Sequence, residues 1–168
     1  MTAQRQERNR IRLGIAWIGL LAFGMAVAVP SPGAQAATTQ RVVADRNTGL
    51  AIDGFDPVAY FTDHRPRQGQ PQFEAASGGA VWRFCNEDNR KFFLARPDIY
   101  GPQFGGYDPV AVARSVPLAG NALVWLIVGQ RLYLFDRDEN RRAFAADPER
   151  YLHAARDRWP ALLTTLAE

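Results

Sequence analysis

The chain has 168 residues, 47% of them hydrophobic, with 20 Lys and Arg against 17 Asp and Glu and a single cysteine. One cysteine excludes an internal disulfide framework. Residues 1–36 hold four Arg and one Glu, so the remainder carries 16 basic and 16 acidic residues. With no net positive field, nucleic-acid binding has no electrostatic footprint to act through.

Taken in chain order, the first element is an export signal at residues 1–36. Arg5, Arg8, Arg10 and Arg12 form a basic start, Leu13 to Val29 is a 17-residue run without a charge, and Ala34-Gln35-Ala36 is the small-residue pattern a signal peptidase reads. The mature protein is therefore expected in the periplasm or secreted. If the segment stayed uncleaved it would be an inner-membrane anchor, although 17 residues is the lower limit for a span. Membrane contact is expected through this segment alone. Residues 37–49 are polar, carry no periodicity and read as a linker.

Leu50-Ala51-Ile52 reads as a short strand. Asp-Pro pairs at 56–57, 108–109 and 147–148 read as helix starts, because Asp caps free N–H groups and Pro is tolerated at the first helical position. Gln72–Ala76 and Ala80–Phe84 flank Ser77-Gly78-Gly79 as a β-hairpin, and Ala122–Val128 and Arg131–Phe135 flank Gly129-Gln130 as another. The second hairpin is almost continuously apolar, which predicts strands buried on both faces. A helix follows each hairpin, capped by Asn86 and by Asp136 and stopped by Pro97 and Pro148; a last helix runs from Pro148 to Arg158.

These elements echo one another. Gly-Phe-Asp-Pro-Val-Ala at 54–59 returns as Gly-Tyr-Asp-Pro-Val-Ala at 106–111, an offset of 52, and Pro97-Asp98-Ile99-Tyr100 returns as Pro148-Glu149-Arg150-Tyr151 at an offset of 51. Self-similarity at fixed spacing predicts one module used twice. The expected architecture is α+β: two small units, residues 50–102 and 103–162, each a capped turn, a hairpin and a helix, packed into one compact domain.

Asp56-Pro57-Val58, Phe84-Cys85, and Phe93 followed by Pro97 and Tyr100 resemble the YHS domain family, whose cysteine-bearing members read Asp-Pro-Val-Cys, an aromatic hairpin ending in Phe-Cys, then Phe-x-x-x-Pro-x-x-Tyr. Its exported bacterial branch is similar through Pro102-Gln103-Phe104-Gly105-Gly106-Tyr107 and Trp159-Pro160-Ala161-Leu162, so the resemblance covers about residues 50–162. It implies a metal-linked binding module. This chain departs where the family would place further thiolates: Ala59 follows Asp-Pro-Val, Asp88 and Asn89 stand on the helix, Asp108 follows Gly-Gly-Tyr, and Asp136 answers Cys85. A structural zinc site takes about four ligands.

No cofactor is required by these residues. Cys85, His64 and His153, with Asp108, nonetheless form a soft-ligand set of the kind that holds copper or zinc. Asp56, Tyr60, Tyr100 and Tyr107 are candidates for lining a ligand pocket, with helix capping and core packing as the alternative for the same residues. No Gly-x-Ser-x-Gly, His-Glu-x-x-His or phosphate-cradling glycine loop is present. The leading expectation is a non-catalytic binding or accessory module for a protein partner or a small ligand. The alternatives are a copper or zinc site at Cys85 and a small thiol-dependent enzyme.

Overall fold

The computed structural model describes residues 41–166; the expected export signal and residues 37–40 of the expected linker lie outside them. The chain forms two antiparallel hairpins, each followed by a helix, so the fold is α+β. The first hairpin joins β1 (Gln70–Ser77) to β2 (Ala80–Phe84), and the second joins β3 (Asn121–Val128) to β4 (Arg131–Phe135). Both turns have two residues with positive φ, Gly78 at 61° with Gly79 at 80°, and Gly129 with Gln130 at 57° each. That geometry matches the twist of the flanking strands. In both hairpins the register breaks near the start: Gln70 pairs with Phe84 but Glu74 with Arg83, and Asn121 pairs with Phe135 but Trp125 with Leu134. The strands therefore begin earlier than the Gly-bounded runs suggest, because Pro71 sits in the bulge and forfeits no ladder bond.

Short helices α1 (Ala59–Thr62) and α4 (Pro109–Val112) precede the hairpins. After them come α2 (Glu87–Ala95) with α3 (Pro97–Tyr100), and α5 (Asp138–Ala146) with α6 (Pro148–Leu163). Asn86 caps α2 by accepting from the Asn89 amide at 2.8 Å. Asp136, expected to cap α5, does not. The cap position falls on Arg137, whose side chain makes no capping bond; Asp136 stands one residue earlier, as Cys85 stands before the Asn86 cap of α2, and its carboxylate accepts from Arg137 Nε at 2.7 Å. The final helix continues through Pro160 to Leu163, since Trp159, Leu162 and Leu166 pack against Tyr107 and Val112. No helix among the described residues is long and apolar enough to cross a membrane.

The two hairpins use their faces differently. On β2, Ala80, Trp82 and Phe84 enter one core with Ile52, Tyr60 and Phe93, while Val81 and Arg83 remain half-buried. On β4, Leu132 and Leu134 join that same core, and the alternate residues Tyr133 and Phe135 build a second one with Phe144 and Leu152. Likewise Trp125 and Ile127 of β3 face the first core, and Val124, Leu126 and Val128 the second. Successive side chains of a strand point to opposite faces, so the second hairpin is a partition between two cores. Its apolar run is accounted for, with one correction: β4 is almost wholly buried, whereas β3 is only half-buried and leaves Leu123 61% exposed.

Leu50-Ala51-Ile52 is not a strand. Leu50 and Ala51 form isolated bridges to Val81 and Ala44, and Ile52–Gly54 is a 3₁₀ turn in which Ile52 and Asp53 have φ of 43° and 55°. The described part of the linker, residues 41–49, is tied down. The Val43 amide donates to Gly105 O at 2.8 Å, the Ile52 amide to Val43 O at 3.1 Å, and Ala44 is buried in the first core. Polar residues at 45–48 masked this, because Asp45 satisfies the amides of Asn47 and Thr48 locally.

Candidate functional site

The two Asp-Pro turns converge on one device. Asp56 is fully buried. Its Oδ1 accepts from the Val58 amide at 2.8 Å, and its Oδ2 accepts from the Cys85 amide at 2.7 Å and from Asn89 Nδ2 at 2.6 Å. Asp108, also fully buried, repeats the pattern with the Val110 amide at 2.8 Å, the Ala111 amide at 3.4 Å, the Asp136 amide at 3.0 Å and Asn140 Nδ2 at 2.6 Å. A buried carboxylate is tolerated only with such donors. Each one ties the turn before a short helix to the end of a hairpin and to the helix that follows. Asn89 entered the sequence reading only as a helix position without a thiolate and Asn140 not at all, though the two stand 51 residues apart, the offset at which Pro97 and Pro148 recur.

Cys85 sits beside the first carboxylate and is half-buried. Its Sγ lies 3.5 Å from Gln68 O and its carbonyl accepts from Gln70 Nε2 at 2.8 Å. Burial, then the charge and hydrogen bonding of Asp56, push the thiol up to about 11, against a smaller opposing pull from Arg67. At neutral pH it is a thiol, and the thiolate is the nucleophile and the metal ligand.

The expected ligand set is not assembled. His64 is exposed in the loop after α1 with φ 52°, and His153 is exposed on α6, 3.1 Å from Asp157. Asp108 has both oxygens engaged in the second half. Among the described residues, no three His, Cys, Asp or Glu side chains group so as to hold a metal ion. These residues do not fit a copper or zinc centre.

The expected pocket residues are mostly core. Tyr60 is fully buried; its hydroxyl donates to Ala122 O at 2.8 Å and its ring meets Trp125 edge-on at 5.3 Å. Burial, with Asp53 and Asp56 adding to it, raises its ionisation well above the ordinary tyrosine range. Tyr107 is fully buried against Trp159, and half-buried Tyr100 meets Phe61 edge-on at 5.4 Å. Asp56, Tyr60 and Tyr107 do not line an open groove.

A surface recess lies elsewhere. A hollow of about 240 Å³ opens between the tip of the first hairpin at Ser77-Gly78, the start of α3, the 101–105 segment and Val42, floored by Trp82 and Phe93. The Trp82 indole N–H is spent on Ser77 O at 2.9 Å. Its walls come from stretches far apart in the chain, joined when the Val43–Gly105 bond brings the N-terminal strap against the 3₁₀ turn Gln103–Gly106. No protein-family model matches the chain, and neither a curated protein nor a solved structure matches it.

Proposed function

We propose that the chain is an exported, non-catalytic binding or accessory module of the YHS type, with the recess between the first hairpin tip and the 101–105 segment as its ligand-facing surface. The observation that carries this reading is the use of the nominated reactive groups. Asp56 and Asp108 spend their oxygens on scaffold donors, and the Cys85 thiol is pushed out of the reactive range. A nucleophile needs a depressed pKa or an adjacent base, and Asp56 beside Cys85 is committed to three donors. What remains is a half-apolar hollow with a few polar groups at its rim, the ordinary form of a binding site.

Native mass spectrometry of protein purified from its own host tests the reading. A copurifying small molecule or partner chain is the expected result, with metal content equal in wild type and Cys85→Ser. Stoichiometric copper or zinc that disappears in Cys85→Ser would replace this reading with a metal-handling one. Rapid alkylation of Cys85 at pH 7 would favour a thiol enzyme.

A further inference from the structure

The two hairpins differ most along their first strands. β1 carries Pro71 and sets Glu74 against Arg83 at 2.7 Å. β3 has the same length and the same early break in register, yet holds neither a charge nor a proline. Charges and prolines are what keep an exposed sheet edge from pairing with another chain.

The burial of β3 locates its opening. β3 and β4 meet the same two cores on their two faces. An uncovered face would leave alternate residues exposed. Instead every residue of Val124–Val128 is half-buried, whichever core it meets, while Leu132–Phe135 beside them are buried. What stands open is the outer edge of β3; along β4 the hairpin packs beside the 3₁₀ turn Gln103–Gly106. The two-residue turn makes Val128 and Arg131 a hydrogen-bonded pair, so Leu126 with Tyr133 is the next one. The N–H and C=O groups of Trp125 and Ile127 therefore point away from β4. Earlier in the strand the backbone is satisfied within the chain: Asn121 Oδ1 accepts from the Leu123 amide and Ala122 O from the Tyr60 hydroxyl, each at 2.8 Å. Among the described residues, no hydrogen bond from outside the hairpin reaches the backbone of residues 124–128.

We infer that this edge pairs with a second copy of the chain, antiparallel about a two-fold axis at Leu126, joining two hairpins into one four-stranded sheet. The outward groups lie one residue either side of Leu126. The axis therefore sets Trp125 of each copy opposite Ile127 of the other, and four N–H···O bonds close. Leu126 then meets Leu126, and Val124 meets Val128. With no charge on the strand, symmetry brings no like charges together. A foreign strand would need a matching apolar run, which a second copy supplies by symmetry. The edge is separate from the recess, so the two readings stand or fall independently.

The test is sedimentation of the protein purified from its own host, with and without Ile127→Pro. Proline there removes an outward N–H and no bond of the hairpin. The wild type forms a dimer as concentration rises, and Ile127→Pro raises the dissociation constant at least about tenfold, through one bond lost per copy. Leu126→Cys and Val116→Cys, each in a Cys85→Ser background, give a second measurement. Across an antiparallel edge, non-hydrogen-bonded partners bring Cα atoms within about 4.5 Å, inside disulfide reach. Mild oxidation therefore links two copies through Leu126→Cys and not through Val116→Cys, although Val116 is 47% exposed. Should Ile127→Pro fail to fold, the crosslink at 126 decides alone. A protein that stays monomeric into hundreds of micromolar and does not crosslink at 126 overturns the inference. So does a dimer indifferent to a folded Ile127→Pro, or one that crosslinks at 116 and not at 126. A monomer that copurifies with an unrelated chain, lost in Ile127→Pro, overturns the second copy as the occupant.

Discussion

The two carboxylate nodes share their framework and differ at one position. At Asp56 the anchored residue at the hairpin's end is Cys85; at Asp108 it is Asp136. In both, the anchored group is the backbone amide, so the side chain is free to vary without disturbing the tie. Asp136 uses that freedom to pair outward with Arg137 at 2.6 Å. Cys85 turns toward Gln68 O and a buried carboxylate. Sequence repetition here marks the tie, and the difference marks a side chain that the tie does not need. A residue that stands out against its counterpart is thus no guide, by itself, to chemistry.

Removing the tie should break the comparison most visibly. Asp56→Ala and Asp108→Ala each strand at least three donors, and each should lower unfolding free energy by about 3–5 kcal/mol, read from urea denaturation. Near-equal losses would confirm that the nodes are energetically equivalent. A loss under about 1 kcal/mol at one of them would show that node to be dispensable. A smaller effect falls on the bond joining the halves: Tyr60→Phe keeps the packing against Trp125 but leaves Ala122 O without its donor, a loss of about 1 kcal/mol by the same measurement.

The smallest effect separates Cys85 from Asp136. A thiol whose folded pKa is raised from 9.0 to about 11 contributes stability that is fully present below pH 9.0 and is lost as pH rises through about 11. The stability of the wild type should therefore fall across that window, and Cys85→Ser should flatten the profile. Alkylation by iodoacetamide should rise about tenfold per pH unit up to the same limit. A plateau near pH 8 would show that Arg67 outweighs burial and Asp56.

Much of this architecture was legible because it is written in local chemistry. The bounds of β2 and β4, the capping of α2 by Asn86 and the helix starts at Asp108-Pro109 and Asp147-Pro148 follow from residues within a few positions of one another; at Asp56-Pro57 the helix begins only at Ala59, with Val58 in the cap position and no side-chain cap. The second oxygen of each Asp was not legible, because its partners lie 28 to 33 residues away. Asp136 holds the place of Cys85 in the repeat, its amide serving Asp108, so the helix cap falls on the following residue, Arg137. The pocket expectation erred by reading aromatic residues near a turn as surface, when a domain this small needs Tyr60 and Tyr107 in its interior. The recess itself has no sequence signature, since its floor and walls meet only after the strap docks.

That strap and the Tyr60 hydroxyl have a kinetic consequence. Val43 reaches Gly105, and Tyr60 reaches Ala122 across 62 residues, so the first core closes only when β3 and β4 have arrived. Ordering the first hairpin alone leaves Trp82 and Phe84 without the Leu132 and Leu134 that complete their surroundings. Loop-closure entropy must be met before these distant contacts repay it. Folding should therefore be all-or-none and slow for a chain of this length, with neither half persisting as an intermediate, despite a sequence that reads as two modules in tandem.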